Sequence, residues 1–239
     1  MGIPGIVSSK TGLVKNANTV CLNGKPLDKD LHLVLGRKAA IENDANCFVL
    51  AEAALGAAKS VKSGGKGPRP RVVFGVIMGT GCGGGIVIGD SVVSGLQHIA
   101  GEWGHMSIDP EGPSCYCGKK GCVETFISGG GVQRLYQSRF GVMKPMEDIL
   151  AGYRKKDQKA VGIMEDFFEH FGIGLSNVLD ILDPDIVVLG GGLSNIRELY
   201  TRGVAQVRKH IFSDGMETPI VRNKLGDSAG VLGAAMLGV

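Results

Sequence analysis

The sequence holds no apolar run near the roughly 20 residues needed to cross a bilayer, so a membrane-spanning helix is excluded as a reading. No secretory signal pattern is visible in it. Excess charge is small too. The net charge is +3, from 26 Lys and Arg against 23 Asp and Glu, and the positive residues are dispersed, which argues against a nucleic-acid partner. The one basic cluster, Lys62 to Arg71, is loop-like in composition and reads as a solvated linker. No internal repeat is evident. Six cysteines, three of them clustered, suit a reducing compartment, and the expected location is cytoplasmic.

What the sequence has in excess is glycine: 39 of 239 residues, bunched at 79–85, 129–131 and 190–192. Bunched glycines mark places where backbone approaches a ligand or another backbone closely. A hydrophobic content of 44% with 21% charged residues suits a soluble globular chain, long enough for one large α/β domain or two small ones. Residues 1–5 show no strand pattern, and Ile6 to Val14 reads as a hairpin. Leu27 to Leu35 has helical spacing, with Asp28 and Asp30 in its first turn. A short strand is expected over 39–43 and a helix over 46–59, which places Asp44 at their junction, where an N-cap is its ordinary role.

Val72 to Met78 is a near-continuous apolar strand, expected to be buried on both faces. The glycine-rich stretch 79–85 follows as a turn leading to a strand at 86–88. Such a turn presents N–H groups and the Thr80 hydroxyl to a phosphate, although ligand-free glycine hairpins share the pattern. It is neither a P-loop nor a dinucleotide fingerprint. Helices are expected over 132–140, 146–155 and 160–182, the last carrying Phe167, Phe168, Phe171 and Leu175 as core. A strand over 186–189, the triple glycine Gly190, Gly191 and Gly192, and a helix over 195–211 together suggest a cleft wall for a flat ligand such as adenine. A short Ala/Gly-rich helix capped by Asp227 or Ser228 ends the chain. Strands alternating with helices indicate α/β architecture.

The most informative stretch is Ala100 to Thr125, A-G-E-W-G-H-M-S-I-D-P-E-G-P-S-C-Y-C-G-K-K-G-C-V-E-T. His105, Cys115, Cys117 and Cys122 match a closed tetrahedral zinc site. The competing readings are a disulfide plus a spare thiol, or chance. Gly118 and Gly121 fall inside the cluster, where tight turns need positive φ. Glu102 and Glu124 flank the ligands without being ligands themselves.

Taken together, G-I-P-G at 2–5, E-N-D-A-N at 42–46, G-T-G at 79–81, A-G-E-x-G-H at 100–105, C-x-C-G-x-x-G-C-x-E at 115–124, L-G-G-G at 189–192 and G-D-x-A-G-x-x-G-A-A at 226–235 resemble the ROK sugar kinases. Those belong to the actin-like/hexokinase (ribonuclease H-like) ATPase superfamily. The resemblance implies a two-lobed α/β fold, with 1–45 plus 224–239 in the small lobe and 46–223, including the zinc loop, in the large one. It implies ATP-dependent phosphorylation of a hexose at its primary hydroxyl, with Mg²⁺ and a structural Zn²⁺. Asp44 would be the general base; Asn43, Glu102, His105 and Glu124 would hold the other hydroxyls. His105 would also bind the zinc, with Cys115, Cys117 and Cys122. Gly79, Thr80 and Gly81 would cradle the phosphates, and Gly190, Gly191 and Gly192 would lie against the nucleoside.

Within the family, K-N-A-N at 15–18 and I-L-D-P-D at 181–185 look most like fructokinases that also accept mannose. The short loop from His105 to Cys115 is instead similar to the glucokinase and N-acetyl amino sugar kinase branches. Family members open with a strand and D-x-G-G-T, which engages Mg²⁺ and phosphate; no D-x-G-G-T occurs in the 239 residues. The expectation is therefore a small lobe shortened at its N-terminus, weakened or absent turnover, and a homodimer covering the open sheet edge. A sugar- and zinc-binding remnant without kinase activity is the second reading. A sugar-responsive repressor is a third, and the G-T-G at 79–81 weighs against it.

Overall fold

The computed structural model describes residues 1–61 and 68–237. The strands are β1 (Gly2–Ile3), β2 (Ile6–Val7), β3 (Val14–Lys15), β4 (Glu42–Asn43), β5 (Val72–Met78), β6 (Cys82–Ile88), β7 (Ser91–Val92), β8 (Ile186–Gly190) and β9 (Ile220–Arg222). The helices are α1 (Leu27–Leu35), α2 (Asp44–Ala54), α3 (Ala57–Ser60), α4 (Val123–Ile127), α5 (Gly129–Phe140), α6 (Met146–Arg154), α7 (Gln158–Leu182), α8 (Arg202–His210) and α9 (Ala229–Ala235).

A five-stranded mixed sheet in the order β7-β6-β5-β8-β9 is the frame on which the cleft is built. β5 pairs antiparallel with β6 and parallel with β8, and β9 adds in parallel to β8. Side chains alternate across it as a pleat requires. Phe74, Val76, Met78, Val187 and Leu189 face a core shared with the helices α4 to α8, while Val73, Ile186 and Val188 face α2, α3 and α9. Covering both faces explains why β5 reads as a continuous apolar run. Helix α7 buries Met164, Phe167, Phe168, Phe171 and Leu175 along one stripe. It stops where Asp183 turns left-handed (φ 42) before Pro184.

Outside this frame lie two small sheets. β2 and β3 form the expected hairpin, Ile6 opposite Lys15. β1 runs parallel to β4, Ile3 opposite Asn43, so residues 1–5 do hold a strand; two residues are too few for a period to show. Helix α1 has the expected bounds, yet none of its residues is buried, and Leu33 and Val34 are more than four-fifths exposed.

Several boundaries differ from the sequence reading for identifiable reasons. The strand expected at 39–43 is only Glu42–Asn43. The helix expected at 46–59 breaks at Gly56, because the buried Glu52 carboxylate accepts from Ala57 N–H (2.7 Å) and also from Lys224 and Leu225 N–H. Gly83, Gly84 and Gly85 lie inside β6 rather than in a turn. A Cβ on Gly84 would strike the Trp103 ring (2.6 Å), and one on Gly85 the side chains of Asn46 and Val49, so these glycines admit neighbouring elements. Gly129–Gly131 open α5 instead of preceding it, with Ser128 Oγ capping Gly131 N–H at 2.9 Å. The expected helix 195–211 is two 3₁₀ turns followed by α8, and β9 was not anticipated. Neither Asp227 nor Ser228 makes a side-chain cap on α9. Of the basic cluster, Lys62–Gly67 lies outside the described residues; Arg69 pairs with Asp90 at 3.4 Å. No helix among the described residues is long and apolar enough to cross a membrane.

Candidate functional site

A cavity of about 520 Å³ opens between the N-terminal segment and the large sheet. Asn43, Asp44, Gly79, Thr80, Gly81, Glu102, His105, Cys117 and Glu124 all line it, so nine of the residues singled out from sequence meet in one cleft. Gly190, Gly191 and Gly192 do not line it.

One wall is the start of α2. Asn43 is the N-cap: its Oδ1 accepts from Ala45 N–H at 2.9 Å, and its Nδ2 donates to Gly5 O at 3.2 Å. Asp44 is thus the first helical residue and not the cap. Its Oδ1 accepts from Ala45 N–H (2.8 Å). Asp44 is open to the cleft, yet the surrounding walls displace enough water to raise its carboxyl above the usual aspartate range; the Ala45 N–H offsets part of that. Glu42 fixes this corner, accepting from Asn43 N–H (2.8 Å), Asn46 Nδ2 (3.0 Å) and Ser94 Oγ (2.7 Å).

The facing wall is the 102–124 loop with α4. Burial raises the Glu102 carboxyl; His105 partly offsets this, and the charges of Asp44 and Glu124 add to it. Three carboxylates therefore share one field, a polar cup suited to a ligand rich in hydroxyl donors. Glu124 Oε2 accepts from Cys82 N–H at 2.8 Å, and a Cβ on Gly81 would lie 2.8 Å from that oxygen, so the carboxylate rests against the Gly79–Gly81 turn. Cys82 is a fully buried thiol, its pKa pushed up by burial and then by Glu124 and Glu102.

The floor is that turn. Gly79 N–H donates to Gly81 O (2.9 Å), and Gly129 N–H of α5 donates to Gly79 O (2.8 Å), which docks the N-terminus of α5 on it. Thr80 is exposed at its tip.

His105, Cys115, Cys117 and Cys122 converge beside the cup, their ligand atoms all within 4.8 Å of one another. His105 Nδ1 lies 3.6 Å from Cys115 Sγ, and Cys117 Sγ lies 3.6 Å from Cys122 Sγ. A tetrahedron built on zinc–sulfur bonds of about 2.3 Å has edges of about 3.8 Å, so the donor set and its spacing fit zinc. The thiols are free, which sets the disulfide reading aside. Gly118 (φ 89) and Gly121 (φ 59) have the positive φ expected of them, and a Cβ on Gly121 would come within 1.7 Å of Asp109 O.

At the third glycine cluster, packing explains two of the three residues. A Cβ on Gly190 would meet the Phe48 ring at 2.5 Å, and one on Gly191 (φ 76) the Met78 carbonyl at 2.4 Å. Gly192 faces open space, beyond the β8 end that pairs with β5 just before the Gly79–Gly81 turn. Three further cleft residues carried no assigned role: Asn16, left-handed at φ 57 as Asn tolerates, Asn18, and Tyr116. The K-N-A-N match at 15–18 was the available signal for the first two.

A two-lobed cleft with a helix-start aspartate facing an acidic, cysteine-rich loop beside a glycine turn matches an actin-like/hexokinase-type site. The chain belongs to the ROK family, whose model matches residues 1–238. It is 40% identical over its whole length to an N-acetyl-D-glucosamine kinase of Vibrio cholerae, of which it covers 80%. Its structure is similar to a ROK hexokinase from Thermus thermophilus (TM-score 0.86, 31% identity, 98% of this chain and 76% of that one). A second similar structure is a ROK family glucokinase from Streptomyces griseus in complex with glucose and AMPPNP (TM-score 0.80, 27% identity, 99% of this chain and 79% of that one).

Proposed function

We propose that this chain is an ATP-dependent sugar kinase that phosphorylates the primary hydroxyl of an N-acetylated hexosamine, N-acetyl-D-glucosamine foremost. The observation that carries the reading is the single cleft in which Asp44 faces Glu102, His105 and Glu124 beside the Gly79–Gly81 turn. The relatives at 37–40% identity, named N-acetyl-D-glucosamine kinases, support the acceptor. The lean toward fructose or mannose is corrected by those relatives, in favour of the N-acetyl amino sugar alternative.

In this reading Asp44 takes the hydroxyl proton as the phosphoryl group arrives, a positioning role to which a carboxylate is suited because phosphoryl transfer needs little covalent help. Asn43, Glu102, His105 and Glu124 pair with the remaining hydroxyls. The Gly79–Gly81 backbone and the Thr80 hydroxyl meet the phosphates of ATP, which arrives as its Mg²⁺ complex, and the nucleoside lies over Gly192 with Gly190 and Gly191 beneath. His105, Cys115, Cys117 and Cys122 hold a structural zinc, which when bound contributes folding free energy to the loop. With Nδ1 on the metal, His105 presents Nε2–H to the cleft, and Glu124, two residues beyond Cys122, is fixed by the same knot. In this reading residues 1–45 with 224–239 form one lobe and 46–223 the other; the cleft, lined from within Pro4 to Asp44 and from within Ile77 to Glu124, supports the division for 1–45, while α9 packs against α2.

Coupled ADP-release kinetics across N-acetylglucosamine, N-acetylmannosamine, glucose, fructose and mannose test this. The expected result is the highest kcat/KM for N-acetylglucosamine; preference for fructose or mannose overturns the acceptor. Sugar-dependent thermal stabilisation without ADP release would overturn the kinase reading.

A further inference from the structure

Tyr116 sits between two of the cysteines, and its surroundings do not explain it as packing. Its backbone is held by the knot: Cys115 N–H donates to Lys119 O (2.8 Å), and Gly118 N–H to Cys115 O (3.0 Å). Its side chain is 70% exposed. The phenol oxygen lies 2.9 Å from His105 Nε2, and the two rings meet edge-on, 5.1 Å between centroids at 90°. The nitrogen that should address a sugar hydroxyl is therefore engaged by this chain's own phenol.

Tyr116 also borders a second cavity, a more open groove of about 770 Å³ beyond the sugar cleft. Leu13, Val14, Ala17 and Val20 give this groove mostly apolar walls. Asn16, Asn18 and Tyr116 line both cavities, whereas Asp44 and the Gly79–Gly81 turn line only the cleft. A sugar that offers its primary hydroxyl to Asp44 thus has other ring positions free to face the threshold where Tyr116 stands.

We propose that Tyr116 is a specificity-determining gate: its hydroxyl holds His105 Nε2 until a sugar group replaces it, and its ring limits how long an N-acyl substituent can pass from the cleft into the apolar groove. The inference rests on the N-acylhexosamine reading above. Two properties of one residue follow. The phenol oxygen competes with sugar for one hydrogen bond, and the ring acts as a wall whose removal joins a polar cup to an apolar channel. An acyl chain reaching that channel gains with each buried methylene, about tenfold or more where the fit is tight.

Equilibrium binding by calorimetry, independent of turnover, separates the two. The probes are N-acetyl-, N-butanoyl- and N-hexanoylglucosamine, with metal content measured for every variant. Tyr116→Phe is expected to bind N-acetylglucosamine about threefold to tenfold more tightly, because Nε2 is then unoccupied and one ordinary hydrogen bond no longer opposes binding. Tyr116→Ala is expected to improve the N-butanoyl to N-acetyl affinity ratio by about tenfold while retaining its metal. A purely structural tyrosine would instead change melting temperature and weaken all three sugars alike. If the wild-type protein binds none of the three, the acceptor reading fails. If it binds them and Tyr116→Ala leaves the acyl-length ratio unchanged, the gate is overturned while the acceptor reading stands.

Discussion

The two walls of the cleft are held by different physics. Asp44 stands on a wall made by packing: α2 is buried from Ala45 to Ala53 and lies against the sheet at Val49 and Phe48. Glu102, His105 and Glu124 stand on a wall of short turns closed around four candidate metal ligands and pinned to the core at Trp103, Val123 and Phe126. A base that must meet one hydroxyl gains from a rigid helix start. A cup that must fit several hydroxyls can be set by a loop, provided something stiffens the loop. The two walls should therefore fail independently and in different observables.

The sharpest test of that independence is Asp44→Asn. Turnover is expected to fall by about 10²–10⁴-fold, the usual contribution of a positioned base, with sugar affinity and metal content kept. The thermal midpoint should hold or rise. Asp44 has a folded-state pKa raised by burial, so its ionised form at neutral pH opposes folding, and a neutral amide removes that opposition. A variant with near-normal kcat would exclude Asp44 as the base.

Cys122→Ser probes the other wall. Cys122 is fully buried, and its loss should lower metal content and weaken sugar binding together, by about 10–100-fold, the range seen when groups that orient metal-site ligands are removed. The acid limb of the residual pH–rate profile should stay where Asp44 puts it. Metal loss without loss of sugar affinity would show that the loop holds its shape by hydrogen bonds alone.

What the sequence made legible divides along the same line. The convergence of His105, Cys115, Cys117 and Cys122 could be read because its logic is local: residue type, spacing and the two left-handed glycines all fall within 26 residues. Strand β5 and helix α7 were legible because a long buried element writes its period into consecutive residues. The packing role of Gly84, Gly85, Gly190 and Gly191 was not legible, because what forbids a side chain there is Trp103, Asn46, Phe48 or Met78, partners brought up by the fold from outside those stretches. Helix α1 shows the converse, a helical apolar spacing whose bounds are right and whose burial is nil. Strand β9, three residues long, left no period to read.

Substitutions at the third glycine cluster sharpen the contrast between packing and binding. Gly190→Ala should cost about 1–3 kcal/mol by forcing the Phe48 ring aside, measured by urea unfolding. Gly192→Ala, with nothing within 4 Å of its new Cβ, should stay within about 0.5 kcal/mol of the parent and raise KM for ATP instead. Equal stability losses at both would remove Gly192 from the nucleotide surface.

The smallest effect is a displacement of the pH profile, and its sign follows from the cleft. As the proposed base, Asp44 would act only when ionised, so kcat is expected to fall as pH drops through its pKa in the complex. The walls around Asp44 raise that pKa above the ordinary value of 3.8 before sugar binds, and a bound sugar displaces more water, which pushes in the same direction. The acid limb of kcat should therefore lie above 3.8 and above the limb of kcat/KM, which reports the free enzyme. Glu102→Gln removes a charge that shares this field while keeping an amide to pair with the sugar. With one negative neighbour fewer, Asp44 should ionise more readily and the limb should move to lower pH. A shift to higher pH would mean that Glu102 stabilises ionised Asp44 through a donor, and that the two walls are coupled in the closed complex.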